Sequence, residues 1–488
     1  MTDAELWAAA DAALRARDSE ALLSLLGSRA TAGDARALHY VALAHQIDGD
    51  TAAALAAVRR AIARAPANNR LALAHATLTY EAGLPSAELW EALIRSAPPP
   101  PDLELALSLA AAYWAEGRGA EAENLLDGIT ARNSAWLRGH EALATYRWML
   151  GQSDGFDRGF ARAVADAPRS LPLLIAWHRA VAQAGQTVRA GKIILAAQQL
   201  FPDAPELAAA EADAVSRRGD AAQADALFAR AAPLNDPGTE LALLRHALRH
   251  GQLDRAEQVG LALLATEAGN AAWPYLSTLW RRRGDRHAAW LDGDPPYIRV
   301  FDLPLSERQL GDAAALLRRL HVATQHPPEQ SMRGGTQTEG NLLARIDSEL
   351  APVRGAIMAA VRQYVAELPP PDATHPLLGA ARERPRLAGS WSVRLAGQGH
   401  HVVHSHPLGW ISSALYITVP PENEGGAPPA GWLELGRPPP ELGFDLPPYA
   451  VIEPKPGRLV LFPSTLWHGT VPFARGERMT IAFDVAAA

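Results

Sequence analysis

The chain contains no cysteine in its 488 residues. That excludes a disulfide framework, a thiolate metal site and a thiol nucleophile, so any metal must be held by histidine, carboxylate or carbonyl oxygen. Lysine is almost as scarce: Lys192 and Lys455 are the only two, and the other basic residues are arginines. This reads as coding bias and not as a basic patch. The formal net charge of -7 argues against nucleic acid or an anionic membrane as a partner of the whole chain. No uninterrupted apolar run approaches a membrane span, and the opening MTDAELWAAADAALRARD is acidic and amphipathic where a signal peptide would be basic and then apolar. A soluble, cytoplasmic protein is expected. The length exceeds what one core usually serves, so two or more structural units are expected too.

What is abundant is alanine and leucine over the first 290 residues, in a recurring pattern. Ala54, Val58, Ala61 and Pro66 return four periods of 34 later as Ala190, Ile194, Ala197 and Pro202. Phe156, Phe160, Ala163 and Pro168 fall in register, as do Ala122, Leu126 and Ile129, and then Ala224, Phe228 and Ala231; Ala256 comes 32 residues later. The copy at Glu88, Ala92 and Arg95 is degenerate, and the proline run at 98–101 is placed to distort the stack. A 34-residue period of this kind resembles the tetratricopeptide repeat, which implies an α-solenoid over residues 1–292 with about seven helical pairs from residue 35 onward. Such a solenoid leaves a concave groove that takes an extended peptide or serves as architecture, and nothing in this sequence separates the two. Trp114, Trp136, Trp148 and Trp177 are read as packing knobs between helices.

Composition shifts at Gly293-Asp294-Pro295-Pro296, a breaker cluster. A short strand is expected at 297–301 and helices at 306–321 and 348–367, with a polar stretch at 330–338 between them. From Gly389 the chain becomes a series of short strands with Pro and Gly turns: WSVRLAG, HVVHSH, SSALYITVP, GWLELG, GRLVLFP and RMTIAFDV. The expected fold is therefore multidomain α + β: the solenoid, then a jelly-roll domain over 296–488 with flanking helices.

A lone histidine in a strand is usually structural. Here His404 and His406 occupy alternate positions of an apolar, β-prone stretch, which would aim both imidazoles to one face, and His468 follows a second apolar strand. Imidazoles suit Fe, Zn, Cu or Ni alike. Arg478 and Thr480 point to iron, because a guanidinium and a hydroxyl on one face of a strand suit the distal carboxylate of a small dicarboxylic acid. His400 and His401 are read as flanking groups, Trp410 and Tyr416 as core aromatics, and Gln330, Arg333, Thr336 and Gln337 as a polar cluster or an ordinary surface loop.

Residues 296–488 resemble the 2-oxoglutarate and Fe(II) dependent oxygenases of the double-stranded β-helix fold, in a branch joined to tetratricopeptide repeats. The matching stretches are WSVRL from Trp391, His401-x-x-His404-x-His406-Pro407, PGRLVLFPS from Pro456, Trp467-His468-Gly469-Thr470 and Arg478-x-Thr480. The resemblance implies Fe(II) on His404 and His468, with either His406 as a third ligand or water in that position, and 2-oxoglutarate as co-substrate held by Arg478 and Thr480. It further implies hydroxylation of a protein or peptide presented by the solenoid. His406 stands where the superfamily usually has an acidic ligand. Two other readings follow from that departure and from the repeats: a three-His oxygenase that does not use 2-oxoglutarate, and a non-catalytic scaffold.

Overall fold

A computed structural model describes residues 1–97 and 102–487. The proline run expected to distort the stack lies outside the described residues. Among them, helices pack as nine consecutive pairs, from Asp3–Arg15 and Ser19–Thr31 to Gly269–Arg283 and His287–Asp292. From Ala35 onward they make eight pairs, one more than the seven or so expected there. The first pair lies ahead of that stretch, and its buried positions Leu22, Leu26 and Ala30 fall outside the 34-residue phase. The recurring small residues do what the period requires: Ala54, Val58, Ala61, Ala122, Phe160, Ala163, Ala190, Ile194 and Ala197 are all buried where neighbouring helices meet. Trp114 stacks on Tyr146 and Trp148 meets Phe156 edge-on, so both act as packing knobs.

The turn inside each pair has its own periodic signature. Gly49, Gly83, Gly117, Gly151, Gly185 and Gly219 are spaced by 34 residues and all have φ between +75° and +91°. A left-handed residue here ends the first helix and reverses the chain, a conformation that a Cβ penalises.

The β-domain has nine described strands: β1 Arg299–Asp302, β2 Met332–Gln337, β3 Arg386–His401, β4 Ile411–Thr418, β5 Leu433–Leu435, β6 Ala450–Ile452, β7 Arg458–Pro463, β8 His468–Thr470 and β9 Arg478–Ala486. They form a six-stranded antiparallel sheet, β1-β7-β4-β9-β3-β2, and a three-stranded sheet, β6-β5-β8. Strand alternation divides β9 between two environments. Met479, Ile481, Phe483 and Val485 pack with Ile411, Leu415 and Leu461 against the helices Glu307–Leu320 and Ala351–Ala366. Arg478, Thr480, Ala482 and Asp484 face the opposite way, into a cavity.

Two local expectations are corrected. The polar stretch at 330–338 is no free loop, because most of it forms edge strand β2, paired with β3 from Met332–His401 to Gln337–Val393 across a bulge. Nor is HVVHSH a strand of its own. Its start belongs to the long strand β3, which ends at His401, and beyond it the chain keeps only local pairings: His404 and His468 exchange both backbone hydrogen bonds at 2.9 Å, and the His406 N–H donates to the Ser464 carbonyl at 3.0 Å.

The two parts touch at many points along the solenoid, mostly at the ends of the first helix of a pair. The Ile346 N–H donates to the Ala82 carbonyl at 3.1 Å and the Thr324 N–H to the Met149 carbonyl at 2.9 Å. Arg249 Nε donates to the Glu441 carbonyl at 3.0 Å, and Arg384 pairs with Asp18 at 3.4 Å. The indole N–H of Trp467, next to His468, reaches the Pro274 carbonyl at 2.9 Å inside helix Gly269–Arg283. No helix among the described residues is long and apolar enough to cross a membrane.

Candidate metal centre

The cavity between the two sheets has a volume of about 640 Å³, and His404, His406, His468, Arg478 and Thr480 all line it. Each of the three histidines can offer a ring nitrogen such that these atoms lie within 4.8 Å of one another. His404 and His468 stand directly opposite each other, and their ring centroids are 4.1 Å apart.

Hydrogen bonding fixes which nitrogen each ring presents. His404 Nδ1 lies 2.9 Å from the Val402 carbonyl and His468 Nδ1 lies 3.0 Å from the Leu466 carbonyl. A carbonyl only accepts, so Nδ1 carries the proton in both rings and the Nε2 lone pair is left for a ligand. Burial and the neighbouring imidazoles hold both in the neutral form: His404 falls to about 3 and His468 lies well below the ordinary histidine range. His406 is oriented by a carboxylate, its Nδ1 lying 2.7 Å from Asp484 Oδ1. The Ser412 hydroxyl donates to the same oxygen at 2.7 Å and lies 2.8 Å from the Ser464 hydroxyl. A carboxylate behind an imidazole sets its tautomer and raises its basicity toward a metal.

Arg478 is 2 % exposed, and its Nε and Nη1 have no hydrogen-bond partner among the described residues. Its Nη2 contacts the Tyr416 hydroxyl at 3.4 Å and the guanidinium sits 5.0 Å from that ring. A buried cation with two free donors is costly unless an anion joins it. Thr480 stands beside it on the same face of β9. Three imidazoles whose ring nitrogens converge, next to an unsatisfied guanidinium, fit a divalent metal carrying a small dianionic acid.

The other residues singled out in the sequence fall differently. His401 Nδ1 lies 3.1 Å from the Ser331 hydroxyl, which also lies 3.1 Å from His404 Nε2, so His401 borders the centre. His400 turns to the Gln398 carbonyl. Trp410 is core, its indole donating to the Leu377 carbonyl. Gln330, Arg333 and Gln337 line the cavity, whereas Thr336 lies 2.8 Å from His321 Nδ1 and holds a helix end to the sheet. Sequence reasoning singles out neither Asp484 nor Ser412 for a role at the site, and Ser464 enters it only as the last residue of PGRLVLFPS.

Residues 389–484 match the family model described as "Putative 2OG-Fe(II) oxygenase". The chain thus carries a 2-oxoglutarate/Fe(II) oxygenase domain behind tetratricopeptide-like helical repeats, and the cofactors of that family are Fe(II) and 2-oxoglutarate. Among solved structures, a prolyl-4-hydroxylase from Pseudomonas putida is 19% identical, covering 39% of this chain and 92% of its own, with a TM-score of 0.27. HygX from Streptomyces hygroscopicus, with nickel, 2-oxoglutarate and hygromycin B bound, is 13% identical over 40% of this chain and 84% of its own, with a TM-score of 0.29. A tetratricopeptide repeat protein from Parabacteroides merdae ATCC 43184 is 14% identical over 48% and 93%, with a TM-score of 0.31. Comparison with curated proteins gives no match.

Proposed function

We propose that this chain is a 2-oxoglutarate- and Fe(II)-dependent hydroxylase acting on a protein or peptide side chain, with an oxygenase unit over 296–488 and a solenoid over 1–292. The observation that carries the reading is the juxtaposition of three convergent imidazoles with the buried, unpartnered guanidinium of Arg478. In this reading His404, His406 and His468 hold Fe(II), and Arg478 grips the distal carboxylate of 2-oxoglutarate in a charge-assisted pair, with Thr480 donating a further hydrogen bond. Bound together, Fe(II) and 2-oxoglutarate supply the power to oxidise an unactivated C–H bond with dioxygen.

The remaining work falls to the chain. Asp484 and Ser412 lock the His406 ring, and the Leu466 and Val402 carbonyls lock the other two. The walls of the cavity limit water, and Arg478 sets which end of the co-substrate faces the metal. In this reading substrate reaches the metal from the solenoid side, where the cavity adjoins a cleft lined by Thr145 and Met149.

The test is an anaerobic titration of the Fe(II)-loaded protein with 2-oxoglutarate, followed by the weak visible charge-transfer band of the chelate. A saturable band is expected. Iron retained with no band would replace this reading by a three-His oxygenase that does not use 2-oxoglutarate, and failure to retain iron would leave a scaffold.

A further inference from the structure

The connection at residues 464–467, between β7 and β8, reaches all three histidines. The Ser464 carbonyl accepts the His406 N–H at 3.0 Å, and the Leu466 carbonyl accepts from His468 Nδ1 at 3.0 Å. His468 follows directly and exchanges both backbone hydrogen bonds with His404 at 2.9 Å. A shift of this connection therefore displaces every imidazole of the centre. The strand that follows is a short anchor: β8 is three residues long and lies at the edge of the three-stranded sheet, with β5 on one side and the isolated His404 pairing on the other.

One side chain of the connection leaves the β-domain. Trp467 is 5% exposed and docks on solenoid helix Gly269–Arg283. Its indole N–H is shared between the Pro274 carbonyl at 2.9 Å and the Thr278 hydroxyl at 3.0 Å, and that hydroxyl itself donates to the Pro274 carbonyl at 2.9 Å. The Tyr275 ring meets the indole edge-on, with centroids 5.0 Å apart. Thr278 and Pro274 are buried, so an indole N–H that lost these acceptors would find no water in their place, and the side chain has one satisfied seat. The same helix also holds the Trp467 backbone, by an independent route. Arg281 donates to the Gly436 carbonyl, and the Gly436 N–H donates to the Trp467 carbonyl at 2.6 Å.

We propose that Trp467 is a positioning residue for the metal centre: through it, helix Gly269–Arg283 sets the 464–467 connection and with it the convergence of His404, His406 and His468. The last solenoid helices are then a working part of the centre, beyond any part they take in presenting substrate. The proposal rests on the metal-binding part of the hydroxylase reading and is independent of which bond is oxidised.

The test measures metal binding in the full chain, without turnover. Trp467→Phe keeps a ring against Tyr275 and removes the N–H; Thr278→Val removes the facing hydroxyl and leaves every β-domain residue in place. Affinity is read by competition for Co(II) against a chelator, and ligand geometry by the visible Co(II) band at saturation. Each variant is expected to bind Co(II) about tenfold more weakly, at the low end of the loss that follows removal of an outer partner of a metal-bound histidine, and with an altered band. The double variant should lose less than the sum of the two, because both cut the same bond. Arg345→Met removes a different solenoid contact, the bond to the Gly83 carbonyl at 3.3 Å, and should leave affinity and band unchanged. Unaltered Co(II) binding in both single variants, or an equal loss in Arg345→Met, would overturn the proposal while the metal centre stands. An unsubstituted chain that binds no Co(II) would sink the metal centre, and the positioning role with it.

Discussion

Asp484→Asn is the perturbation that asks most of the proposed metal centre. The substitution keeps the shape of the side chain and an oxygen able to accept from His406 Nδ1, but removes the charge that two donors now share, His406 Nδ1 and Ser412 Oγ, both at 2.7 Å. His406 and Asp484 have side chains only 16% and 17% exposed, so solvent does little to replace that charge. An amide can also turn its NH2 toward His406 and select the wrong tautomer. Losing an outer partner of a metal-bound imidazole costs roughly 10–100-fold in affinity, or about 1.4–2.8 kcal/mol. The assay is competition for Co(II) against a chelator of known affinity, with the visible Co(II) spectrum as readout and a thermal melt as control. His406→Ala should lose at least as much, and the double substitution should be no worse than His406→Ala alone, because the carboxylate acts only through that ring. Unchanged affinity in a folded Asp484→Asn protein, or additive losses in the double variant, would refute the assignment of His406 as a ligand.

Arg478→Met should weaken 2-oxoglutarate binding by about 1.5–3 kcal/mol, the value of hydrogen bonds to a charged group, and leave Co(II) affinity intact; parallel loss of both would indicate a misfolded cavity. His321 is 9% exposed and burial lowers it to about 4, against an ordinary value near 6.5. The unfolded chain therefore takes up a proton that the folded chain refuses. The stability held by neutral His321 is complete above pH ~6.5 and falls by about 3 kcal/mol as pH drops toward 4; urea melts of the wild type against His321→Gln should show the wild type losing more over that range. Gly117 has φ +76° with nothing within 4 Å of where a Cβ would stand, so Gly117→Ala should cost about 1 kcal/mol from backbone strain alone, with Gly117→Asn milder in thermal melts. At Gly83 an added methyl would meet the Arg345 guanidinium, so Gly83→Ala should loosen the solenoid from the β-domain and raise proteolysis between residues 292 and 299.

Much of the solenoid was legible because 34-residue periodicity writes the same packing problem at every turn, as Ala54, Ala190 and their partners show. The glycines from Gly49 to Gly219 carried the same period in plain sight and locate the turns more sharply than the buried alanines do. In the β-domain, alternation on β9 identifies Arg478 and Thr480 as one face, and the same parity carried on to Asp484 would have found the carboxylate behind His406. His404 and His406 do converge, but through isolated pairings with His468 and Ser464 and not through a regular strand; such pairing is set by distant backbone and leaves no local pattern. The contact between the two parts was not legible. It runs largely through backbone carbonyls such as those of Ala82, Met149 and Pro274, and a carbonyl looks the same under any side chain.

The spread of those contacts sets a rule for how the chain can change. An open array of repeats gains or loses a unit at little cost, since each unit touches only its neighbours. Here Asp18, Ala82, Met149, Arg249 and Pro274 are fixed stations, each meeting its own point on the β-domain. Inserting or deleting one 34-residue unit between two stations would shift every later one out of register, the last being the station that holds Trp467 beside His468. The repeat number is thereby tied to the proposed metal centre, and variation in length should be confined to the turns facing away from it.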